Sequence, residues 1–321
     1  MARNRKVFIR KKTYFITFRA EVGLPFPATD LINRIIEGIL CKAKSLYQID
    51  VVAHKFMANH VHLVITVICP ESVDNFVQYI KRESAHAVNR LLGRRKRTVW
   101  CEGYDSPLIL DIEKALDVIA YLYCNSAEAG ISDTIEQYPG LSSWNMFISG
   151  NYSIERKRLR RDYIPYIGTN SVSLNLQSKL ISDLEKEALE DNIFTLSPYA
   201  FLKSFDTDST EEQIKEEIIN RVRTKEEEFR RIRTKSLPSQ IKLKTSGINL
   251  DYNPQKFGKK MICLSSEKIR RVIYINWYKQ LCEKAAHIYK EFKNKLSELF
   301  LPPGLFSPGG YLTANLWFPP D

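Results

Sequence analysis

The sequence is poor in the features that would make it a secreted, membrane-spanning or disulfide-stapled protein. No apolar run reaches the roughly 18 residues a spanning helix needs, so no membrane partner is expected. The basic N-terminus, MARNRKVFIRKK, has no apolar stretch behind it and does not read as a secretory signal. The six cysteines (Cys41, Cys69, Cys101, Cys124, Cys263 and Cys282) are scattered singly without a CxxC pair. A chain of this length needs no staples, so a reducing, cytoplasmic setting without a disulfide framework is expected. Histidine is scarce too, with five in 321 residues.

Acid is shortest in the first hundred residues. The formal net charge is +11, and residues 1–100 alone hold 18 Lys/Arg against 7 Asp/Glu. Residues 101–150 reverse this, with a single basic residue, Lys114, against 8 acids. Three basic clusters stand out: Arg3, Arg5, Lys6, Arg10, Lys11 and Lys12; Arg94, Arg95, Lys96 and Arg97; Arg156, Lys157, Arg158, Arg160 and Arg161. Each alone reads equally well as solvated surface. Together they favour an anionic partner whose phosphates they track, a nucleic acid first.

Hydrophobic periodicity alternates between strand and helix. Residues 12–19 (KTYFITFR) are aromatic and β-branched, hence a strand. A helix capped by Asp30 follows to about Ser45, with Leu31, Ile35, Ile36, Leu40 and Ala43 on one face. Strands at 47–56 and 60–68, joined by Met57-Ala58-Asn59, read as an antiparallel hairpin. A helix over 72–92, a short strand at 107–110 and a helix over 113–129, closed by Gly130, complete the series. The order β-α-β-β-α-β-α predicts an α+β domain, ferredoxin-like, with a split β-α-β antiparallel sheet. It ends near residue 150. Residues 151–321 read as a basic, mostly helical C-terminal extension. Within it, 176–236 look helical, 237–260 loop-rich, and 265–299 a long amphipathic helix whose apolar stripe needs a partner surface.

Two short runs carry chemistry. In Met57-Ala58-Asn59-His60-Val61-His62, residues two apart on a strand share a face, so His60 and His62 project together. They form a two-point platform for a divalent metal, or simply polar residues on an exposed strand. His54 and His86 read as structural or surface residues. In Tyr121-Leu122-Tyr123-Cys124-Asn125, Tyr121 and Asn125 lie one helical turn apart on one face, whereas Tyr123 points elsewhere. The phenol and carboxamide are presented together, or the ring merely helps bury the helix.

These runs together resemble the HUH single-tyrosine transposase family. Met57-Ala58-Asn59-His60-Val61-His62 is similar to its Met-Pro-Asn-His-x-His. Tyr121-Leu-Tyr-Cys-Asn125-Ser-Ala-Glu-Ala-Gly130 is similar to its Tyr-Ile-x-x-Asn-Pro-x-x-x-Gly. Val99-Trp100-Cys101-Glu102-Gly103-Tyr104 resembles the segment before that helix, and Tyr14-Phe15-Ile16-Thr17 its first strand. The resemblance spans about residues 7–147 and is nearest to transposases associated with repetitive extragenic palindromes and their insertion-sequence relatives. Ala58 and Ser126 each stand where the pattern has proline; neither change removes a reacting group.

The resemblance implies a metal-dependent single-stranded DNA endonuclease and strand transferase, with Tyr121 as nucleophile and a 5′-phosphotyrosine intermediate. Mg²⁺ or Mn²⁺ would be held by His60, His62 and Asn125. The partner would be single-stranded or hairpin DNA, the setting the cytoplasm at the nucleoid, and a homodimer is compatible. Tyr14, Phe15 or Trp100 could stack on bases. Two other readings stay open: a domesticated hairpin-binding protein that no longer transposes, and a metal-dependent nuclease that uses water. Religation through a phosphotyrosine would need no nucleotide cofactor, because the covalent bond stores the energy.

Overall fold

The computed structural model describes residues 5–253 and 260–294. Its centre is a five-stranded sheet built from β1 (Thr13–Arg19), β2 (Ile49–Phe56), β3 (His60–Val67), β4 (Leu108–Ile109) and β7 (Cys263–Leu264), in the order β2-β3-β1-β4-β7. β1 and β2 both pair antiparallel with β3, and β1 antiparallel with β4. The first four strands thus form the expected ferredoxin-like sheet. The fifth comes from the C-terminal region and pairs parallel with β4.

One face of the sheet is covered by α1 (Asp30–Leu46) and α2 (Pro70–Leu91). Their apolar positions, among them Leu31, Ile35, Ile36, Leu40, Val73, Phe76, Val77 and Ile80, are buried as their spacing requires. Trp100 stacks on Phe26 and meets Phe18 edge-on, while its indole N–H donates to Ser84 of α2. Thr29, rather than Asp30, caps α1 by accepting from the Ile32 amide; Asp30 is the acid of the first turn. The other face is covered by α3 (Ile112–Glu128), capped by Asp111 and followed by Gly130 at φ +64°. α6 (Glu211–Ile232) packs on α3 through Ile214, Ile218 and Val222, all buried.

The C-terminal region is mainly helical, as expected, but the stretch 176–236 is interrupted by a strand. α5 (Leu174–Lys186) is followed by β6 (Asp191–Thr195), which pairs antiparallel with β5 (Ser153–Lys157) and packs on α1. Short α4 (Trp144–Ser149) and α7 (Gln240–Lys244) lie between the longer elements. The expected strand at 107–110 shrinks to Leu108–Ile109. α8 (Lys268–Lys293) buries Tyr274, Tyr278, Leu281 and Ala285, whereas Ile269, Val272, Ile273 and Phe292 of the expected stripe are exposed. Residues 295–321 fall outside the described residues, so the end of the helix expected over 265–299 does too. One hydrophobic core runs through both parts of the chain, from Phe8 and Ile16 to Val222, Leu264 and Tyr274.

All six cysteines are free. No helix among the described residues is long and apolar enough to cross a membrane.

Candidate active site

The register of β1 against β3 sets Thr17 opposite His62 and Arg19 opposite His60. Residues paired across a ladder share a face. His60 and His62 therefore lie on the α3 side, with ring centroids 4.7 Å apart. Thr17 Oγ1 lies 3.1 Å from His62 Nδ1, and Phe15 stacks on the His62 ring. His62 Nε2 is buried with no hydrogen-bond partner among the described residues. His60 Nδ1 sits 2.8 Å from Asn59 Oδ1, and its Nε2 sits 2.9 Å from Asn125 Oδ1. Burial pushes His60 down to about 4, against the opposing hydrogen bond to Asn125. Burial first, and His60 second, push His62 well below the ordinary histidine value. Both rings are neutral near pH 7.

Neutrality has a geometric consequence. A neutral imidazole carries one N–H. His60 can donate from Nδ1 to Asn59 or from Nε2 to Asn125 but not both, and in the first tautomer Nε2 faces Asn125 Oδ1 lone pair to lone pair. A cation held between them reconciles that contact, and the orphaned Nε2 of His62 supplies a third donor. No group of three His, Cys, Asp or Glu converges among the described residues, so an amide must complete such a set. Two imidazole nitrogens and an amide oxygen make a mixed donor set able to hold a divalent metal.

α3 presents Lys114, Asp117, Val118 and Tyr121 into a cleft of about 510 Å³ that also holds Phe15, Thr17 and His62. Asn125 lies one turn further on; its Nδ2 donates to the Tyr121 hydroxyl at 3.3 Å and to Glu128 Oε2 at 3.4 Å. Burial raises the Tyr121 pKa, and the charge of Glu128 raises it further. Tyr123 is placed quite differently. It is 1% exposed, packs against Trp144 and Phe147, and its hydroxyl lies 3.0 Å from Ser143 Oγ.

Behind the histidines lies a fully buried lysine. A β-bulge between Val51 and Ala53 shifts the register of β2 so that Lys55 stands opposite His62. Its Nζ donates to the Tyr123 carbonyl and to Ser126 Oγ of α3, and lies 4.8 Å over the Tyr138 ring. A proline at 126 would have no hydroxyl to accept that bond. Burial pushes Lys55 down to about 7.

Residues 27–122 match the model of the family Transposase IS200 like. Over those residues the chain is similar to IS200-like transposases. The match takes in His60, His62 and Tyr121 and ends three residues before Asn125. One solved structure, "Structure of the REP associates tyrosine transposase bound to a REP hairpin", is similar over 47% of this chain and 87% of that one, at 15% identity and a TM-score of 0.41. No curated protein matches the chain in sequence.

The basic clusters fall in different places around the matched part. Arg3 lies outside the described residues. Arg5 and Lys6 line a smaller pocket beside the cleft, where Lys6 pairs with Asp74. Arg10 and Lys11 are exposed and Lys12 half-buried. Arg94 is half-buried, and Arg95, Lys96 and Arg97 are exposed in the loop after α2. Residues 156–161 sit on the opposite face of the sheet from Tyr121. There Arg156 pairs with Glu37 of α1 and Arg161 with Glu83 of α2, Arg160 lies over Tyr163, and Lys157 and Arg158 border the same helices. Of the three aromatics offered for base stacking, Tyr14 and Trp100 are core residues, and Phe15 lines the cleft. His54 is buried and His86 half-buried.

Sequence reading missed Lys55, Lys114, Lys225 and Lys260. Lys114 was legible as the one basic residue of an acidic stretch, at helical spacing from Tyr121. The other three are brought in by the bulge in β2 and by the C-terminal elements.

Proposed function

We propose that this chain is a divalent-metal-dependent endonuclease and strand transferase of single-stranded or hairpin DNA, acting through a 5′-phosphotyrosine on Tyr121. What carries the reading is the run of contacts from His60 through Asn125 to the Tyr121 hydroxyl, with Tyr121 and His62 lining one cleft, in a chain whose residues 27–122 match IS200-like transposases. His60, His62 and Asn125 would hold Mg²⁺ or Mn²⁺, which supplies Lewis-acid polarisation of a phosphoryl oxygen. Thr17 fixes the His62 ring by bonding its Nδ1, which keeps Nε2 aimed inward. Asn125 orients the phenol by donating to it. Glu128 stands beside the phenol and accepts its proton as the nucleophile forms. The Tyr121 oxygen then bonds to phosphorus as the bond from phosphorus to the 3′ oxygen breaks, and that oxygen takes a proton from solvent to leave as a 3′-hydroxyl. Attack by a 3′-hydroxyl reverses the step and completes strand transfer.

The test is incubation with a panel of single-stranded hairpin oligonucleotides plus Mn²⁺, read on a denaturing gel. A slow-migrating covalent species that EDTA abolishes is the expected result. Cleavage without an adduct would assign water as the nucleophile. Binding with neither would leave a hairpin-binding protein.

A further inference from the structure

None of the basic clusters evident in the sequence lines the cleft that holds Tyr121. The cluster at 156–161 is on the other face of the sheet and partly consumed by Glu37 and Glu83. Inside the cleft the cations come from elsewhere. Lys114 lies on the same face of α3 as Tyr121, seven residues earlier, about 10 Å along the helix. Lys225 enters from α6, beyond the IS200-like match, and Lys260 enters just before β7. Lys114 and Lys225 are both half-buried, and among the described residues neither has an ion-pair partner. The acids that would neutralise them are engaged. Arg221 holds Asp117 at 3.0 Å and Glu113 at 2.6 Å, and Lys260 holds Asp105 at 3.4 Å. Two half-buried lysines without ion-pair partners, lining one cleft, favour an anion there.

We propose that Lys114 and Lys225 form a phosphate subsite that grips the DNA strand beside the scissile position. The C-terminal region thereby supplies part of the substrate cleft. This rests on the reading of the cleft as a nucleic-acid site. Apolar Val118, Met261 and Leu264 line the same cleft as the lysines and Phe15. A phosphate on the lysines thus leaves the adjoining base an apolar wall. α6 holds Lys225 in place because Ile218, Val222 and the Arg221 bridges fix it on α3.

The experiment measures fluorescence anisotropy of labelled single-stranded oligothymidylate with the full chain, across a salt series. Lys114→Ala, Lys225→Ala, the double variant and Lys186→Ala are compared with wild type; Lys186 is an exposed α5 residue distant from the cleft. Each cleft lysine should reduce the log–log salt slope by about 0.7, and the double variant should weaken binding by roughly tenfold or more. Arginine at both positions should restore binding, and Lys186→Ala should resemble wild type. A double variant with the affinity and slope of wild type, or no worse than Lys186→Ala, overturns the proposal. Adduct formation in the same samples separates the two claims. An adduct with unchanged binding sinks the subsite and leaves Tyr121 chemistry standing. Lysine-dependent binding without any adduct sinks the chemistry and leaves the subsite.

Discussion

His60 Nε2 lies 2.9 Å from Asn125 Oδ1, which ties strand β3 to helix α3 at the point where the phenol of Tyr121 enters the cleft. If a divalent cation sits at this junction, His60→Ala, His62→Ala and Asn125→Ala should each weaken Mn²⁺ binding by more than about tenfold, measured calorimetrically. The fold should persist in each variant. Metal ligation needs neutral rings. Because burial holds His60 near 4, affinity should stay level from pH 7 down to about 5 and fall only as the pH approaches 4. An affinity that halves near pH 6.5, as for ordinary histidine, would contradict the assigned burial.

His54 is a separate pH sensor of stability. Burial among apolar residues pushes it down to about 3, from an unfolded value of 6.5. Its folded pKa is depressed, so the unfolded chain binds the extra proton first. Stability is full above pH 6.5 and is lost progressively as the pH falls toward 3. His60 and His62 act in the same direction. His54→Phe should recover a few kcal/mol of the loss at acid pH. Parallel Tm-against-pH curves for the variant and wild type would refute this.

Lys55 acts as a spacer between the two halves of the site. It grips α3 at Tyr123 and Ser126, between Tyr121 and Glu128. Lys55→Met should keep the fold, since replacing a buried charge by an apolar side chain is often neutral or stabilising. It should still slow adduct formation by about tenfold or more, because misplacing a reacting group by around 1 Å is costly. A wild-type adduct rate in a folded Lys55→Met protein would remove it from the account.

The C-terminal elements share the core of the N-terminal part, so thermal unfolding should be one cooperative transition. Ile218→Ala, at a fully buried position against α3, should lower stability by about 2–5 kcal/mol. It should do so for the whole transition, followed by tryptophan fluorescence and far-ultraviolet dichroism together. Two separated transitions would show that α6 is merely docked.

The sequence was most legible where periodicity is long. α1, α2 and β3 each run for eight or more residues, and their apolar positions are buried where spacing places them. β4 and β7 are two residues each, too short to show any period. β6 does alternate, with Asn192 and Phe194 buried and Ile193 exposed, but its flanking charges read as helix. In the site, the pairing of His60 with His62 and of Tyr121 with Asn125 follows from local geometry. Lys55 was invisible because a buried lysine runs against every burial preference, and only the bulge in β2 turns it inward. Lys225 was invisible because it is set by α6 packing on α3, a contact about 100 residues apart in sequence.

The central claim is that Tyr121 is the nucleophile, and Tyr123 two residues later is the sharp control. Tyr123 is walled in by Trp144, Phe147 and Ser143, whereas Tyr121 opens into the cleft beside His62. The decisive measurement is peptide mapping by mass spectrometry of the adduct trapped with a hairpin oligonucleotide and Mn²⁺. A nucleotide on Tyr121, lost in Tyr121→Phe and retained in Tyr123→Phe, is the expected result. A nucleotide on Tyr123, or an adduct that survives Tyr121→Phe, would contradict the account.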